Sequence, residues 1–110
     1  MAAKSILFTF QSCADLNEIW ETIAMPRDLW SASETANVAA AEQFADKFEK
    51  LCELLPTHPE VGLNRDDLHP GLCSVPVQRY VIYYRTRGEG VEVLRVLRAS
   101  TDDGGIAASG

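Results

Sequence analysis

The sequence is poor in the residues that mark disulfide-rich, metal-binding and cofactor-dependent proteins. Its three cysteines, Cys13, Cys52 and Cys73, are isolated and form no CxxC pair, so we expect small buried thiols rather than a disulfide scaffold. Only two histidines are present, His58 and His69, and they do not complete a zinc ligand set. We therefore expect no metal site and no cofactor.

Long apolar runs are also missing. No stretch approaches the roughly 20 apolar residues that cross a bilayer, so a membrane is not an expected partner. The N-terminal segment MAAKSILFTFQS is too short and too alternating for a signal peptide. These features predict a cytoplasmic protein, and a length of 110 residues suits one domain.

Lysine is absent from residues 59–98, which contain six arginines instead. Residues 1–62 hold four basic and ten acidic side chains, whereas residues 63–100 hold the six arginines against four acidic side chains. The whole chain carries a formal net charge of −6, so direct binding to DNA is not expected. The separation of charge predicts either one face that meets an acidic partner or solvated faces with local ion pairs.

The first half of the chain begins with a predicted strand and an amphipathic helix. Ile6 to Phe10 is a β-branched and aromatic run that favours a strand. Ser12 with Asp15 is typical of a capping box at a helix start, and Pro26 predicts the helix end near Ala24. The apolar residues at helical spacing are Leu16, Ile19, Trp20, Ile23 and Ala24.

A second amphipathic helix is predicted after the connector MPRDLWSASET. Ser31 with Glu34 suggests a second capping box, and Pro56 predicts the helix end. Two consecutive helices with facing apolar stripes are expected to pack as an antiparallel hairpin. The second stripe consists of Ala41, Phe44, Ala45, Phe48, Leu51, Cys52 and Leu55.

The second half of the chain predicts three strands. Leu72 to Val77 is limited by Pro76 to an edge, an end or a bulge. Arg79 to Arg85 is rich in aromatic and β-branched residues, and Val91 to Leu97 follows the turn Gly88-Glu89-Gly90. Residues 1–100 are therefore predicted to form one domain, and the polar, glycine-rich residues 101–110 a disordered tail.

The predicted fold class is α+β, with the element order β-α-α-β-β-β. The helical hairpin is the cover available for one face of a small antiparallel sheet. Under regular alternation of the last strand, Arg95 shares a face with Val91, Val93 and Leu97. Its charge must therefore reach a rim or meet a partner.

Several segments, taken in order, are similar to one known protein family. They are ADLNEIWETIA in the first helix, the P-x-x-G-x-x-R loop from Pro59 to Arg65, the strand PVQRYVIYYR, and GVEVLRVLRASTD at the end. Together they cover most of the chain between Ala14 and Asp103. In these segments the chain resembles the RelE/ParE superfamily of toxins from bacterial type II toxin–antitoxin modules, and it is most similar to the ParE side.

The resemblance implies a cognate antitoxin as partner. In this family the C-terminal segment of the antitoxin wraps the toxin and lies along the helical hairpin and the sheet. The candidate antitoxin contacts in this chain are the apolar helix residues Leu16, Trp20, Ile23, Phe44 and Phe48.

The resemblance also implies one of two targets. ParE-like members poison DNA gyrase, whereas RelE-like members cleave mRNA in the ribosomal A site with basic residues and an acid–base group. Such cleavage needs a base, an acid and cations that stabilise the transition state. His58, His69, Tyr83 and Tyr84 are poor acid–base candidates, and Arg98 stands where many relatives carry histidine. We therefore assign no catalytic residue; the candidate target contacts are Arg65, Arg79, Arg85, Arg95, Arg98 and Tyr84.

Three functions remain open from the sequence. The first is a ParE-like toxin that inhibits gyrase by protein–protein contact and is neutralised by its antitoxin, which favours a protein without enzymatic activity. The second is a RelE-like, ribosome-dependent endoribonuclease, motivated by the arginine set. The third is a non-toxic homologue that binds an antitoxin, motivated by the weak acid–base inventory and the acidic helices.

Overall fold

The computed structural model describes residues 5–24 and 34–99. The predicted capping box at Ser31, most of the connector, and the tail at 101–110 lie outside these ranges. The elements are β1 (Ile6–Phe8), α1 (Phe10–Ala24), α2 (Glu34–Leu54), a 3-10 turn (Pro59–Val61), β2 (Leu63–Asn64), β3 (Cys73–Val77), β4 (Tyr80–Arg87) and β5 (Gly90–Arg98).

The five strands form one sheet in the order β1-β5-β4-β3-β2. β5, β4, β3 and β2 are antiparallel neighbours, but β1 runs parallel to β5, with Ile6 opposite Val91. The predicted α+β class and the hairpin over a sheet are confirmed. The sheet is mixed rather than wholly antiparallel because β1 and β5 are parallel neighbours, which a tight turn could not join; two helices and three other strands lie between them in the chain.

A β-bulge in β5 changes which side chains face the helices. Tyr84 is opposite Val93 and Tyr83 is opposite Arg95, so Leu94 is the extra residue. Val96 is buried after the bulge, and Leu97 is exposed. The expectation that Arg95 shares the face of Val91 and Val93 is therefore wrong, because the bulge reverses the alternation.

The junction between β1 and α1 differs from the predicted capping box. α1 begins at Phe10, and the backbone N–H of Ser12 donates to Oγ1 of Thr9 at 3.1 Å, so Thr9 is the N-cap. The Thr9 hydroxyl in turn donates to the carbonyl oxygen of Leu94 at 2.8 Å, which satisfies the bulge residue. Asp15 is thereby left for another partner, described below. α1 is helical through Ala24, the last residue described in this part of the chain, as the sequence predicts.

The core lies between the helical hairpin and the sheet. α1 packs on α2 and on β5, and the Phe44 ring meets the Tyr80 ring edge-on at a centroid distance of 5.2 Å. Within the described residues, no helix is long and apolar enough to span a membrane. The buried core residues are Ile19, Phe44, Leu55, Val75, Val77, Tyr80, Ile82, Tyr84, Val91, Val93 and Val96.

Two smaller predictions are settled by burial and pairing. In the described residues β2 pairs with Cys73 and Ser74 only, so Pro76 lies at an open edge of β3, as predicted. This position suits proline, which has no backbone N–H to donate to a neighbouring strand. The expectation of three buried thiols is wrong for Cys13, which is exposed on α1. Burial raises the pKa of Cys52 to about 12, so its thiol stays protonated at neutral pH.

Candidate functional site

The arginines of the second half are mostly engaged in ion pairs. Four of the six, Arg65, Arg85, Arg87 and Arg95, bind a carboxylate in the described part of the chain. Local ion pairs were one of the two arrangements that the sequence left open. The positive charge available to a partner is therefore smaller than the number of arginines suggests. Its location depends on the other two, Arg79 and Arg98.

Arg65 lies inside the protein. Only 2% of its surface is exposed, and its Nε and Nη2 donate to the two carboxylate oxygens of Asp67 at 3.1 and 3.0 Å. The hydrogen bond from Arg65 lowers the pKa of Asp67, so the pair stays charged at neutral pH. Target contact by Arg65 therefore stays a prediction, and it would require the buried side chain to be uncovered.

Arg95 is tied to the first helix. Its Nε and Nη2 donate to Asp15 at 2.7 and 2.9 Å, and Asp15 Oδ2 also accepts from the backbone N–H of Val96 at 3.0 Å. The hydrogen bond from Arg95 holds the pKa of Asp15 below its ordinary value of 3.8. Asp15 therefore takes up a backbone N–H of β5 beyond the end of β1. It is also the partner that the Arg95 charge was expected to need.

Arg85 and Arg87 share a single carboxylate, that of Glu92 on β5. Arg85 Nε donates to Oε1 at 2.8 Å, and Arg87 Nη1 donates to Oε2 at 3.0 Å. The hydrogen bond from Arg85 lowers the pKa of Glu92. Because two cations share one anion, this cluster keeps one net positive charge on the sheet.

Arg79 and Arg98 form an exposed corner of the sheet, here called the cationic corner. Arg79 lies in the turn between β3 and β4, and Arg98 ends β5 opposite Tyr80. The backbone N–H of Ala99 donates to the carbonyl of Arg79 at 2.9 Å, which holds the two arginines together. Neither has a salt-bridge partner among the described residues, so this corner carries the most available positive charge of the sheet.

A groove of about 570 Å³ opens on the sheet face away from the helices, here called the outer groove. The loop before β3 forms one wall of it and the strands β4 and β5 form its floor. His69 and Tyr83, which the sequence offered as poor acid–base candidates, meet Arg85 and Arg95 here. The lining residues are Leu68, His69, Pro70, Leu72, Tyr83, Arg85, Leu94, Arg95 and Leu97.

Tyr84 points away from the outer groove into the core. Its side chain is fully buried, and its hydroxyl donates to the carbonyl oxygen of Pro59 at 2.6 Å. Burial raises the pKa of Tyr84 to about 12, so the phenol is a permanent donor at neutral pH. Target contact by Tyr84 stays a prediction, and it would require a change in the core that uncovers the ring.

The candidate antitoxin contacts are divided between core and surface. Phe44 is buried, so the predicted contact with an antitoxin would require its side chain to be uncovered. Leu16, Ile23 and Phe48 are half-buried against the core, and Trp20 is 39% exposed on α1. Of the five candidate contacts, Trp20 is therefore the most accessible side chain, and Leu16, Ile23 and Phe48 present only part of their surface.

The edge strand β1 adds apolar surface that sequence analysis missed. Phe10 is 89% exposed because it opens α1 instead of ending β1. Leu7 and Phe8 are also exposed, and the Phe8 ring lies 6.1 Å from the Phe48 ring between centroids. The strand order was the missing information, since a strand at the sheet edge exposes residues that a central strand would bury.

No group of three or more metal-ligating side chains occurs in the part of the chain that the structure describes. His58 lies 3.5 Å from Glu60 in the loop, and His69 Nδ1 lies 3.0 Å from the carbonyl oxygen of Pro70. What the site offers is therefore a surface of arginines, apolar side chains and one groove that contains a histidine and a tyrosine.

Comparison with known proteins gives three consistent matches. Residues 6–103 match the family model described as the ParE toxin of the type II toxin–antitoxin system parDE. Toxin ParE3 of Caulobacter vibrioides is 34% identical over 64 residues, which cover 58% of this chain and 64% of ParE3. Toxin ParE1 of the same organism is 31% identical over 74 residues, covering 66% of this chain and 76% of ParE1.

A solved structure shares the fold. The structure titled as the chromosomal ParDE toxin–antitoxin system from P. aeruginosa superimposes with a TM-score of 0.60 over 88% of this chain and 97% of that chain. The two sequences are 17% identical, so this likeness bears on the fold alone.

A helical hairpin on a mixed five-stranded sheet is thus a small α+β fold that this chain shares with that structure. Because the family model covers residues 6–103, the chain belongs to the ParE toxin family of type II toxin–antitoxin systems.

Proposed function

We propose that this protein inhibits DNA gyrase by protein–protein contact and that a cognate antitoxin neutralises it. The observation that carries the proposal is the division of the arginines. Those of the outer groove are already bound to carboxylates, whereas Arg79 and Arg98 project from the cationic corner without a described salt-bridge partner. Available charge at a rim favours recognition of an acidic protein surface.

Phosphodiester cleavage fits this arrangement of the arginines less well than recognition by contact. A cleaving site needs cations that are free to stabilise charge on the transferring phosphate. Arg85 and Arg95 would first have to leave Glu92 and Asp15, at the cost of uncovering two carboxylates that are each 11% exposed at the side chain. Recognition by contact requires no such rearrangement.

The antitoxin is proposed to cover the apolar surface around α1 and β1. Trp20 on α1 and Phe8 and Phe10 at the sheet edge are exposed apolar side chains that a partner would bury. Among the described residues β1 pairs with β5 alone, so an extended antitoxin segment can add to the sheet at its other edge. Leu16, Ile23 and Phe48 contribute their accessible parts to the same surface.

The test is the supercoiling of relaxed plasmid by purified DNA gyrase over a titration of the purified protein. We expect inhibition that rises with protein concentration and is reversed by the antitoxin encoded beside the toxin gene. Unchanged supercoiling at a large molar excess would rule out gyrase as the target. Induced expression without antitoxin should also arrest growth, and harmless expression would favour a non-toxic antitoxin-binding protein.

Ribosome-dependent mRNA cleavage is the second candidate, and one observation favours it. The outer groove brings His69 and Tyr83 together with Arg85 and Arg95, which is the kind of set that general acid–base cleavage of RNA uses. New codon-specific cuts in ribosome-bound mRNA, detected by primer extension, would support this candidate. Their loss in a His69→Ala, Tyr83→Phe double variant would assign the cuts to the groove.

A further inference from the structure

The P-x-x-G-x-x-R spacing of Pro59, Gly62 and Arg65 has a structural meaning that direct target contact does not explain. All three residues lie in the loop between α2 and β3: Pro59 and Gly62 hold its first part against β4, and Arg65 bonds to its later part. The later part of the same loop, Leu68–Leu72, forms one wall of the outer groove.

The first two residues of this motif hold the loop against Tyr84. The carbonyl oxygen of Pro59 accepts the hydrogen bond from the Tyr84 hydroxyl at 2.6 Å. Gly62 lies so close to the same ring that a Cβ built on it would be 2.1 Å from the Tyr84 hydroxyl oxygen. Its φ of −81° is one that any residue adopts, so glycine is needed here for the close approach and not for the backbone conformation.

The third residue holds the far part of the loop. Arg65 binds Asp67 through two parallel hydrogen bonds, and its backbone N–H donates to the carbonyl oxygen of Leu72 at 2.7 Å. The carbonyl oxygen of Arg65 accepts from the N–H groups of Leu68 and His69 at 2.9 and 3.2 Å. Arg65 is therefore bonded at its side chain, its N–H and its C=O to the segment that forms the groove wall.

Stability alone is a weak reason to bury an arginine. Burying the Arg65 guanidinium costs desolvation, and because its partner Asp67 is 51% exposed at the side chain, solvent weakens the attraction that would offset this cost. What the arginine fork adds is direction, because two parallel hydrogen bonds fix the carboxylate in one plane. The gain is in the geometry of the loop.

We propose that Arg65 and Tyr84 are positioning residues, which act with Pro59, Gly62 and Asp67 as a loop clamp. The clamp holds Leu68–Leu72 as a preformed wall of the outer groove and thereby sets the strength with which this face binds its target. The inference rests on the proposed function in one respect: it takes the outer groove, beside the cationic corner, to be part of the target-binding face.

The test uses two clamp variants and matched controls in the full chain. Asp67→Asn leaves Arg65 without its carboxylate, and Tyr84→Phe removes one hydroxyl without changing the ring. Tyr80→Phe is the control for the second, since Tyr80 lies on the same strand and makes no hydrogen bond through its hydroxyl to another described residue. Ile82→Val is a control for general destabilisation, because it opens a small cavity in the core away from the loop.

Three measurements are made at a temperature where every variant is folded. Hydrogen exchange of the Leu68, His69 and Leu72 amides should become about tenfold faster in both clamp variants, with core strand amides unchanged. The concentration that halves gyrase supercoiling should rise about tenfold, and growth arrest at equal protein level should weaken. Tyr80→Phe and Ile82→Val should match the wild type in loop exchange and inhibition, and Asp67→Glu should recover part of the loss.

The outcomes separate the clamp from the choice of target. Unchanged loop exchange in both clamp variants, or faster exchange with undiminished growth arrest, would overturn the clamp. Weakened growth arrest together with a wild type that leaves gyrase untouched would overturn the gyrase proposal while the clamp stands. Loss of arrest in Ile82→Val equal to that in Asp67→Asn would reduce the clamp to ordinary stability and overturn it as well.

Discussion

Asp15 joins the first helix to the last strand through one carboxylate. It accepts both Arg95 hydrogen bonds and the N–H of Val96. Asp15→Asn replaces one acceptor with a donor that faces the Arg95 donors, so we expect the free energy of unfolding at pH 7 to fall by about 2 kcal/mol. Chemical denaturation measures this. Asp46→Asn, which removes an exposed carboxylate paired with Lys50, should change it by less than about 0.5 kcal/mol.

The same carboxylate gives a pH dependence of known sign. Hydrogen bonding from Arg95 lowers the pKa of Asp15 below 3.8 in the folded state. Its contribution is therefore complete above that pH and is lost as the pH falls through the lowered value. We expect the difference in unfolding free energy between wild type and Asp15→Asn to be constant from pH 7 to 5 and to narrow below pH 3.8. A difference that widens on acidification would contradict this assignment.

Gly62 is the residue at which the loop comes closest to β4. Gly62→Ala places a Cβ 2.1 Å from the Tyr84 hydroxyl oxygen and 2.9 Å from the carbonyl oxygen of Ser74. Overpacking of this kind should lower the free energy of unfolding by about 2 kcal/mol. Adding Tyr84→Phe removes the nearest atom, so the double variant should lose less than the sum of the two single variants. Full additivity would show that the contact with the hydroxyl is unimportant.

At the scale of elements, Thr9 joins β1, α1 and the bulge in β5. Its hydroxyl accepts from the N–H of Ser12 and donates to the carbonyl oxygen of Leu94. Thr9→Val keeps the shape but removes both bonds, and we expect a loss of about 1–2 kcal/mol in unfolding free energy with faster exchange of the Ser12 amide. Thr9→Ser keeps the hydroxyl and should stay close to wild type; equal losses in the two variants would assign the effect to packing.

The elements that could be predicted from the sequence are those with a local signal. The apolar stripes, Pro26 and Pro56 located the helices, and the aromatic run from Arg79 located β4. Non-local pairing decided the rest. The start of α1 moved to Phe10 because Thr9 is fixed by Leu94, a residue 85 positions away in the chain. No local sequence pattern indicates a bulge at Leu94, so the sequence could not predict on which face of the sheet Arg95 lies.

The candidate site was predictable in composition but not in arrangement. The sequence identified the arginines, but it could not show that Asp15, Asp67 and Glu92 bind four of them, since three of these four ion pairs join different elements. Tyr84 and Arg65 were taken as surface contacts because side-chain direction depends on strand register and loop path. The P-x-x-G-x-x-R spacing did mark the loop that contains the proposed clamp, although its residues lie inside the protein and not at the surface.

At the scale of the whole molecule, acidic helices lie on one side and the arginines of the sheet on the other. Within this arrangement the cationic corner is the part with available positive charge. Arg79→Ala with Arg98→Ala should weaken gyrase inhibition at least about tenfold and leave the fold intact, since both side chains are exposed. The control is Lys47→Ala with Lys50→Ala on α2, which removes the same charge from the opposite side. Equal loss in both would indicate a net-charge effect.

The central claim is that this ParE-family chain acts on gyrase by contact and without cleavage chemistry. The most direct measurement is inhibition of gyrase supercoiling by wild type and by the His69→Ala, Tyr83→Phe double variant in one titration. Wild type should inhibit, and the double variant should still inhibit with at most about a tenfold loss, because the groove supplies contacts to the target and inhibition by contact needs no proton transfer. A wild type without inhibition, or a double variant that has lost it, would contradict the account.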